Sequence, residues 1–247
     1  MTNQNVPSPS SWSKQNWLLF TNAESLFYKL DELRALTSMT KPFFICVTET
    51  WFTPDIDNDL IGIPGYQLFR SDRRDDPADN RRGGGTVIYA SSVTSPFSVS
   101  LPLIYQKPSG FDYSLIGFTD LLQCFLLCIY VPPNMNAESF SAIRNHIVDV
   151  LDHLLSHSPN ANIFVCGDFN RYDFSFITDL FNLSNIVNFP TYGDNTLDKF
   201  FCDSNACDSF SATVAPPLGS ANKLHSVIFI SKNMNSSIDT NFFSESV

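Results

Sequence analysis

Short apolar runs that stop at an acid, an amide or a phenol constrain this chain more than any other feature. FFICVTE ends at Glu49, FLLCIY ends at Tyr130, IFVCGDFN carries Asp168 and Asn170, and Asp198 opens the next such run. Runs this short, rich in β-branched and aromatic residues, suit buried strands. A strand end holds its side chain rigidly and points it at one edge of a sheet, where groups distant in sequence can meet. Singly, each residue has a plain explanation: Glu49 and Asp198 could cap turns, Asp168 could form an Asx-turn, and Tyr130 could be core. Together they supply hard oxygen ligands and hydrogen-bond donors suited to Mg²⁺ and phosphate.

The rest of the chain frames these ends. Leu26, Leu30, Leu33 and Leu36 predict a helix over 22–37 with Asn22 as its cap. Strands are expected at 43–47, 86–90, 113–118, 125–131, 163–166, 197–201 and 226–230. Phe140, Ile143, Ile147, Val150, Leu151 and Leu154 make one apolar stripe of a helix over 137–157, and a shorter helix is expected over 174–181. Strands, helices and hairpins mix without strict βαβ alternation, which predicts mixed sheets with covering helices. We expect a loose tail over 1–15 and one domain over 16–247, since 247 residues can bury a substantial core. No run reaches the roughly 20 apolar residues of a membrane-spanning helix, so an intracellular protein without a membrane partner is expected.

A net charge of -10 argues against a protein that coats nucleic acid non-specifically. The positive charge is nevertheless clustered: Arg70, Arg73, Arg74, Arg81 and Arg82 fall in one stretch. That stretch reads either as a solvated loop balanced by Asp72, Asp75, Asp76 and Asp79 or as a rim contacting DNA phosphates. Cys46, Cys124, Cys128 and Cys166 lie in apolar runs and are expected as buried free thiols. Cys202 and Cys207 match no zinc spacing. His146, His153 and His157 fall off the apolar stripe of the long helix and are expected at the surface. No P-loop, dinucleotide fingerprint or nucleophilic triad competes with the acidic strand ends. Gly83-Gly84-Gly85 is not followed by Lys-Ser/Thr.

The motifs also occur in a specific order. N-A-x-S-L at 22–26, T-E-T-W at 48–51, G-Y-x-L-F-R-x-D-R at 65–73, G-G-G-T-V-I-Y at 83–89, I-Y-V-P-P at 129–133, G-D-F-N at 167–170, N-T-L-D-K at 195–199 and P-P-L-G at 216–219 resemble the endonuclease domain of non-LTR (LINE) retrotransposons. The CR1/L2/Jockey-like branch is the most similar, and the resemblance runs over about residues 17–231. It implies the endonuclease/exonuclease/phosphatase fold, a four-layered α/β sandwich of two mixed sheets flanked by helices. It also implies roles. Glu49 would be the Mg²⁺ ligand with Asn22 beside it, and Tyr130 would hydrogen-bond the scissile phosphate. Asp168 would activate water, Asn170 would hold the phosphate and Asp168, and Asp198 would orient a terminal histidine. The implied activity is nicking of target DNA, which primes a reverse transcriptase that normally belongs to the same polyprotein, in the nucleus.

One motif departs. The family closes its site with Ser-Asp-His soon after P-P-L-G, whereas this chain continues Ser220-Ala221-Asn222-Lys223-Leu224-His225. Counted forward from Pro216, Asn222 and Lys223 take the Asp and His positions, and Lys223 would pair with Asp198. Counted back from Val227, the register differs, and His225 offers a partial substitute. The expectation from the forward count is an impaired site. A DNA- or protein-binding remnant and a phosphoesterase for a small molecule or lipid are the competing readings.

Overall fold

The computed structural model describes residues 16–73, 83–102, 104–105, 107–120, 122–219 and 225–233. The expected tail over 1–15 and the candidates Arg74, Arg81, Arg82, Asn222 and Lys223 lie outside the described residues. In chain order the elements are β1 (Asn16–Asn22), α1 (Leu30–Thr40), β2 (Phe44–Thr48), α2 (Asn58–Ile61), β3 (Tyr66–Ser71), β4 (Thr86–Ser91), β5 (Phe97–Ser98) and β6 (Asp112–Asp120). They continue with β7 (Leu122–Tyr130), α3 (Ala137–His157), β8 (Asn162–Asp168), α4 (Ser175–Phe181), β9 (Leu183–Asn185), β10 (Asp198–Asp203), β11 (Phe210–Ala215) and β12 (Val227–Lys232).

The strands form two six-stranded mixed sheets, ordered β11-β12-β1-β2-β4-β3 and β5-β6-β7-β8-β10-β9. Each sheet contains one parallel pair, β1–β2 and β7–β8, joined through a helix, and every other pair is antiparallel. Parallel neighbours need a long crossover, and α1 and α3 supply it.

The pleat sorts the core into layers. Along β1, Leu18 and Phe20 face the opposite sheet, while Leu19 packs outward with Leu30 and Leu33 of α1. Along β7, Leu126 and Cys128 face inward, while Leu127 and Ile129 pack outward against Ile147, Val150 and Leu151 of α3. Helix, sheet, sheet and helix therefore stack as the four expected layers. A cluster led by Trp17, Phe44, Phe118, Phe164 and Phe200 fills the space between the sheets. Among the described residues, no helix is long and apolar enough to cross a membrane.

The structure corrects three expectations. Asn22 does not cap a helix; it is the last residue of β1, and α1 starts at Leu30. Segment 23–26 instead hydrogen-bonds across to 48–50, through Ala23 N to Thr48 O and Leu26 N to Thr50 O. No strand is expected at 66–71 or 210–215, yet these segments form β3 and β11, the two outer strands of the first sheet, where half-buried residues blur the apolar signal. His146 is not a surface residue: it is buried, with its ring against Phe111 and Tyr113. Burial lowers its pKa.

Candidate active site

The inner-face parity that fills the core also builds the site. Phe20 is followed two residues on by Asn22, Cys46 by Thr48, Cys128 by Tyr130 and Cys166 by Asp168. Each polar residue is therefore the next inward-facing position at the C-terminal end of its strand. Tyr130 and Asp168 are register partners across β7–β8, and Asp168 and Asp198 are partners across β8–β10. Gly167 makes the approach possible. With φ at +152°, a Cβ there would lie 1.9 Å from the Ile129 carbonyl oxygen.

Asp168 is the centre of the network. Its Oδ2 accepts a hydrogen bond from Asn22 Nδ2 at 2.8 Å, and its Oδ1 accepts one from the Asn170 backbone N–H at 2.8 Å. Asn170 also donates from Nδ2 to the Val131 carbonyl at 2.6 Å. Asn170 adopts φ of 50°, an uncommon left-handed conformation that the surrounding bonds hold in place. Burial pushes the Asp168 carboxyl up to about 7 and the Asp198 charge adds to the rise, against the opposing pull of His225 and the hydrogen bonds from Asn170 and Asn22.

His225 closes the other side. Its Nδ1 lies 2.9 Å from Asp198 Oδ2, and both side chains are buried. Asp198 in turn is fixed by its backbone: Thr191 Oγ1 accepts from the N–H groups of Leu197 and Asp198, both at 3.1 Å. The Tyr192 ring packs on the imidazole at 4.7 Å. Burial works to lower the His225 pKa, but the hydrogen bond and charge of Asp198, with Asp168 and Glu24, outweigh it and leave it raised. The pairing expected between Lys223 and Asp198 is thus taken by His225. Of the two counts, the one back from Val227 fits this arrangement, because the sheet register of β12 is pinned by β1 and β11.

Glu49 follows β2 in a left-handed conformation, φ 53°, and its Oε2 accepts a hydrogen bond from the Trp51 indole N–H at 2.6 Å. Tyr130 is buried beside it. Burial first, then the Glu49 charge, raises the phenol pKa, so Tyr130 stays a hydrogen-bond donor.

The described arginines differ from the expected rim. Arg73 is buried, and its Nε and Nη2 donate to Asp112 Oδ2 at 3.0 and 2.7 Å. Its guanidinium lies 5.2 Å from the centroid of the Tyr130 ring. Arg73 therefore braces the site from within and is not free for a solvent-side phosphate. Gly84, at φ +74°, is required there because a Cβ would sit 2.2 Å from the Arg73 guanidinium carbon. Arg70 is largely buried too, with Nη2 3.4 Å from Asp72 Oδ2. Trp51, Asp112 and Thr191 were not among the sequence candidates. Trp51 had a signal, since it lies in the T-E-T-W motif, but Asp112 and Thr191 become visible only through long-range pairing.

The donor set fits a hard divalent ion. Asp168, Asp198 and His225 bring ligand atoms within 4.8 Å of one another, and Asp198 Oδ1 is buried without a hydrogen-bond partner. Glu49 adds a carboxylate from the opposite sheet. Carboxylate-rich oxygen sets of this kind suit Mg²⁺ and related ions.

Comparison with known proteins agrees with this architecture. Residues 12–231 match the profile of the "Endonuclease/Exonuclease/phosphatase family". No curated protein matches the chain significantly. The AP endonuclease of Leishmania major superposes with a TM-score of 0.67 at 14% identity, covering 93% of this chain and 96% of that one. The endonuclease domain of TRAS1, a telomere-specific non-LTR retrotransposon, superposes at 0.63 with 14% identity, covering 88% and 98%. The catalytic domain of human Nocturnin superposes at 0.60 with 15% identity, covering 92% and 98%.

Proposed function

This chain belongs to the endonuclease/exonuclease/phosphatase family, and we propose that it is a Mg²⁺-dependent DNA endonuclease of the retrotransposon type. The observation that carries the reading is the buried network Asn22–Asp168–Asn170 beside Asp198–His225. It joins a carboxyl whose pKa is pushed up to about 7 to an imidazole whose pKa is raised by Asp198, across from a phenol that keeps its proton.

The chemistry follows from those groups. Asp168, at about 7, is matched to taking a proton from water at neutral pH, because a base works best when its pKa is near the working pH. Asn22 and Asn170 hold its two oxygens, so the base points one way. His225, held in one tautomer by Asp198, presents Nε2 as a donor to a phosphate oxygen. Tyr130 donates from the opposite side, and Arg73 lends positive charge behind its ring. Donors fixed in advance stabilise charge as it develops on the phosphate without reorganising. Glu49, held by Trp51, would carry Mg²⁺ with help from the other carboxylates, and that ion would supply Lewis-acid stabilisation of the same charge. DNA as substrate is supported by the motif order and by the DNA-directed names of two of the similar structures. A reverse transcriptase of the same polyprotein would be the partner, and work on chromosomal DNA would place the protein in the nucleus.

The residue before His225 is Leu224, where the family motif has Asp. We therefore place the impairment at a missing carboxylate and not at a missing histidine. Removing one group of this kind costs about 10²- to 10⁴-fold in rate, so slow nicking is expected. Assays on supercoiled plasmid, on a lipid phosphodiester and on a small phosphodiester test substrate class. Slow plasmid nicking that Leu224→Asp accelerates supports the reading. Turnover of the lipid or small molecule with plasmid left intact overturns it. Salt-dependent DNA binding with no cleavage by either protein indicates a binding remnant and also overturns it.

A further inference from the structure

Directly beneath the catalytic layer the inner face carries three thiols. Cys46 on β2, Cys128 on β7 and Cys166 on β8 are wholly buried, and their sulfurs all lie within 4.8 Å of one another. They come from both sheets. Cys128 and Cys166 are register partners, and Cys46 reaches them across the interior. Each stands one inward position before Thr48, Tyr130 or Asp168, so the cluster is separate from the oxygen site yet adjacent to it.

We propose that Cys46, Cys128 and Cys166 form a three-sulfur site for trivalent arsenic, entering as arsenous acid. Three considerations select this chemistry. Sulfur clusters take soft, thiophilic centres. Zinc in a structural site is tetrahedral and needs a fourth ligand, whereas the cluster around these sulfurs is apolar, with Phe20, Ile88 and Leu126 as members. Charge then decides. A divalent ion on three thiolates leaves a net negative charge in a closed apolar interior, which is costly to bury. Trivalent arsenic on three thiolates is neutral and three-coordinate.

The step balances without an oxidant. Arsenous acid carries three hydroxyls. Three As–O bonds break, three As–S bonds form, and each thiol proton leaves with a hydroxyl as water. No oxidation state changes. The incoming molecule is small and uncharged, so it can enter during local opening of the sandwich, and uptake is limited by that opening.

The test uses folded protein incubated with arsenite in a thiol-free reductant, followed by desalting and intact mass measurement. The expected result is a gain of one arsenic atom less three hydrogens, with arsenic X-ray absorption reporting three sulfur neighbours and no oxygen. Cys207→Ser, which alters a partly exposed thiol outside the cluster, keeps the gain. Cys46→Ala, Cys128→Ala and Cys166→Ala each lose it. Should a core variant fail to fold, the sulfur count on the wild-type protein still decides. Absence of a mass gain after incubation longer than amide exchange of β7 and β8 overturns the site. So does an arsenic with an oxygen neighbour, or retention of the gain in a folded Cys46→Ala variant.

Discussion

Replacing His225 with alanine separates the structural and chemical parts of the site. Asp198 is fully buried, and among the described residues its Oδ1 lacks a partner and the 2.9 Å contact to His225 Nδ1 is the only hydrogen bond to its carboxylate. Removing the imidazole leaves a buried carboxylate uncompensated, which costs about 3–5 kcal/mol. The pH dependence follows from the raised His225 pKa: the stabilisation lost in the variant is fully present below about pH 6.5 in the wild type, so the deficit is larger at pH 5 than at pH values above the folded-state pKa. Urea denaturation at pH 5 and above that pKa reads both. The double variant His225→Ala/Asp198→Asn has no buried charge to strand, so it recovers most of the stability. It does not recover catalysis, which falls about 10²- to 10⁴-fold in both variants. A pH-independent loss below about 1 kcal/mol, or plasmid nicking at the wild-type rate in His225→Ala, refutes the reasoning.

Further predictions concern the other groups. Asp168 is raised from 3.8 to about 7 and His225 is raised above 6.5, so the folded state favours the protonated form of each. Their stabilising contribution is present below the unfolded values, at about pH 3.8 for Asp168 and pH 6.5 for His225, and is lost as pH rises through the folded ones. In metal-free protein, Asp168→Asn should remove a decline of order 1 kcal/mol per pH unit between about pH 4 and 7; parallel stability curves for variant and wild type would contradict this. Trp51→Phe removes the N–H donor to Glu49, a hydrogen bond to a charged group worth about 1.5–3 kcal/mol. The Mg²⁺ concentration for half-maximal nicking should shift upward about tenfold or more, whereas an unchanged Mg²⁺ curve shows that Glu49 is held by other contacts.

Much of this site is legible in sequence because one rule serves both core and chemistry. Inner-face positions of β7 and β8 read Leu126, Cys128, Tyr130 and Phe164, Cys166, Asp168, so the alternation that marks a strand also marks where its polar end will point. Tyr130 and Asp168 are visible in this way, while Glu49, Asn170 and Asp198 stand at or just beyond the ends of such runs. Asn22 was found by motif but given a helix cap, because the leucine spacing at 26, 30, 33 and 36 extends helical periodicity back into residues that the sheet claims. Arg73 reads as a surface charge among aspartates, and only the fold brings Asp112 from β6 to pair with it. His225 is a candidate from the count back from Val227, and the strand after it is locked by pairing to two neighbours. The thiol cluster has no local signature at all, since its members are separated by 82 and 38 residues (46 to 128, 128 to 166) and meet only when two sheets close.

The central claim is that Asp168 is the base of a working, though slowed, DNA nuclease site. Single-turnover nicking of supercoiled plasmid in Mg²⁺, comparing wild type with Asp168→Ala, tests it most directly. The account predicts slow, Mg²⁺-dependent conversion to open circles in the wild type and none in the variant, while both proteins give the same circular dichroism spectrum. Equal nicking by the two proteins, or none by either, would contradict it.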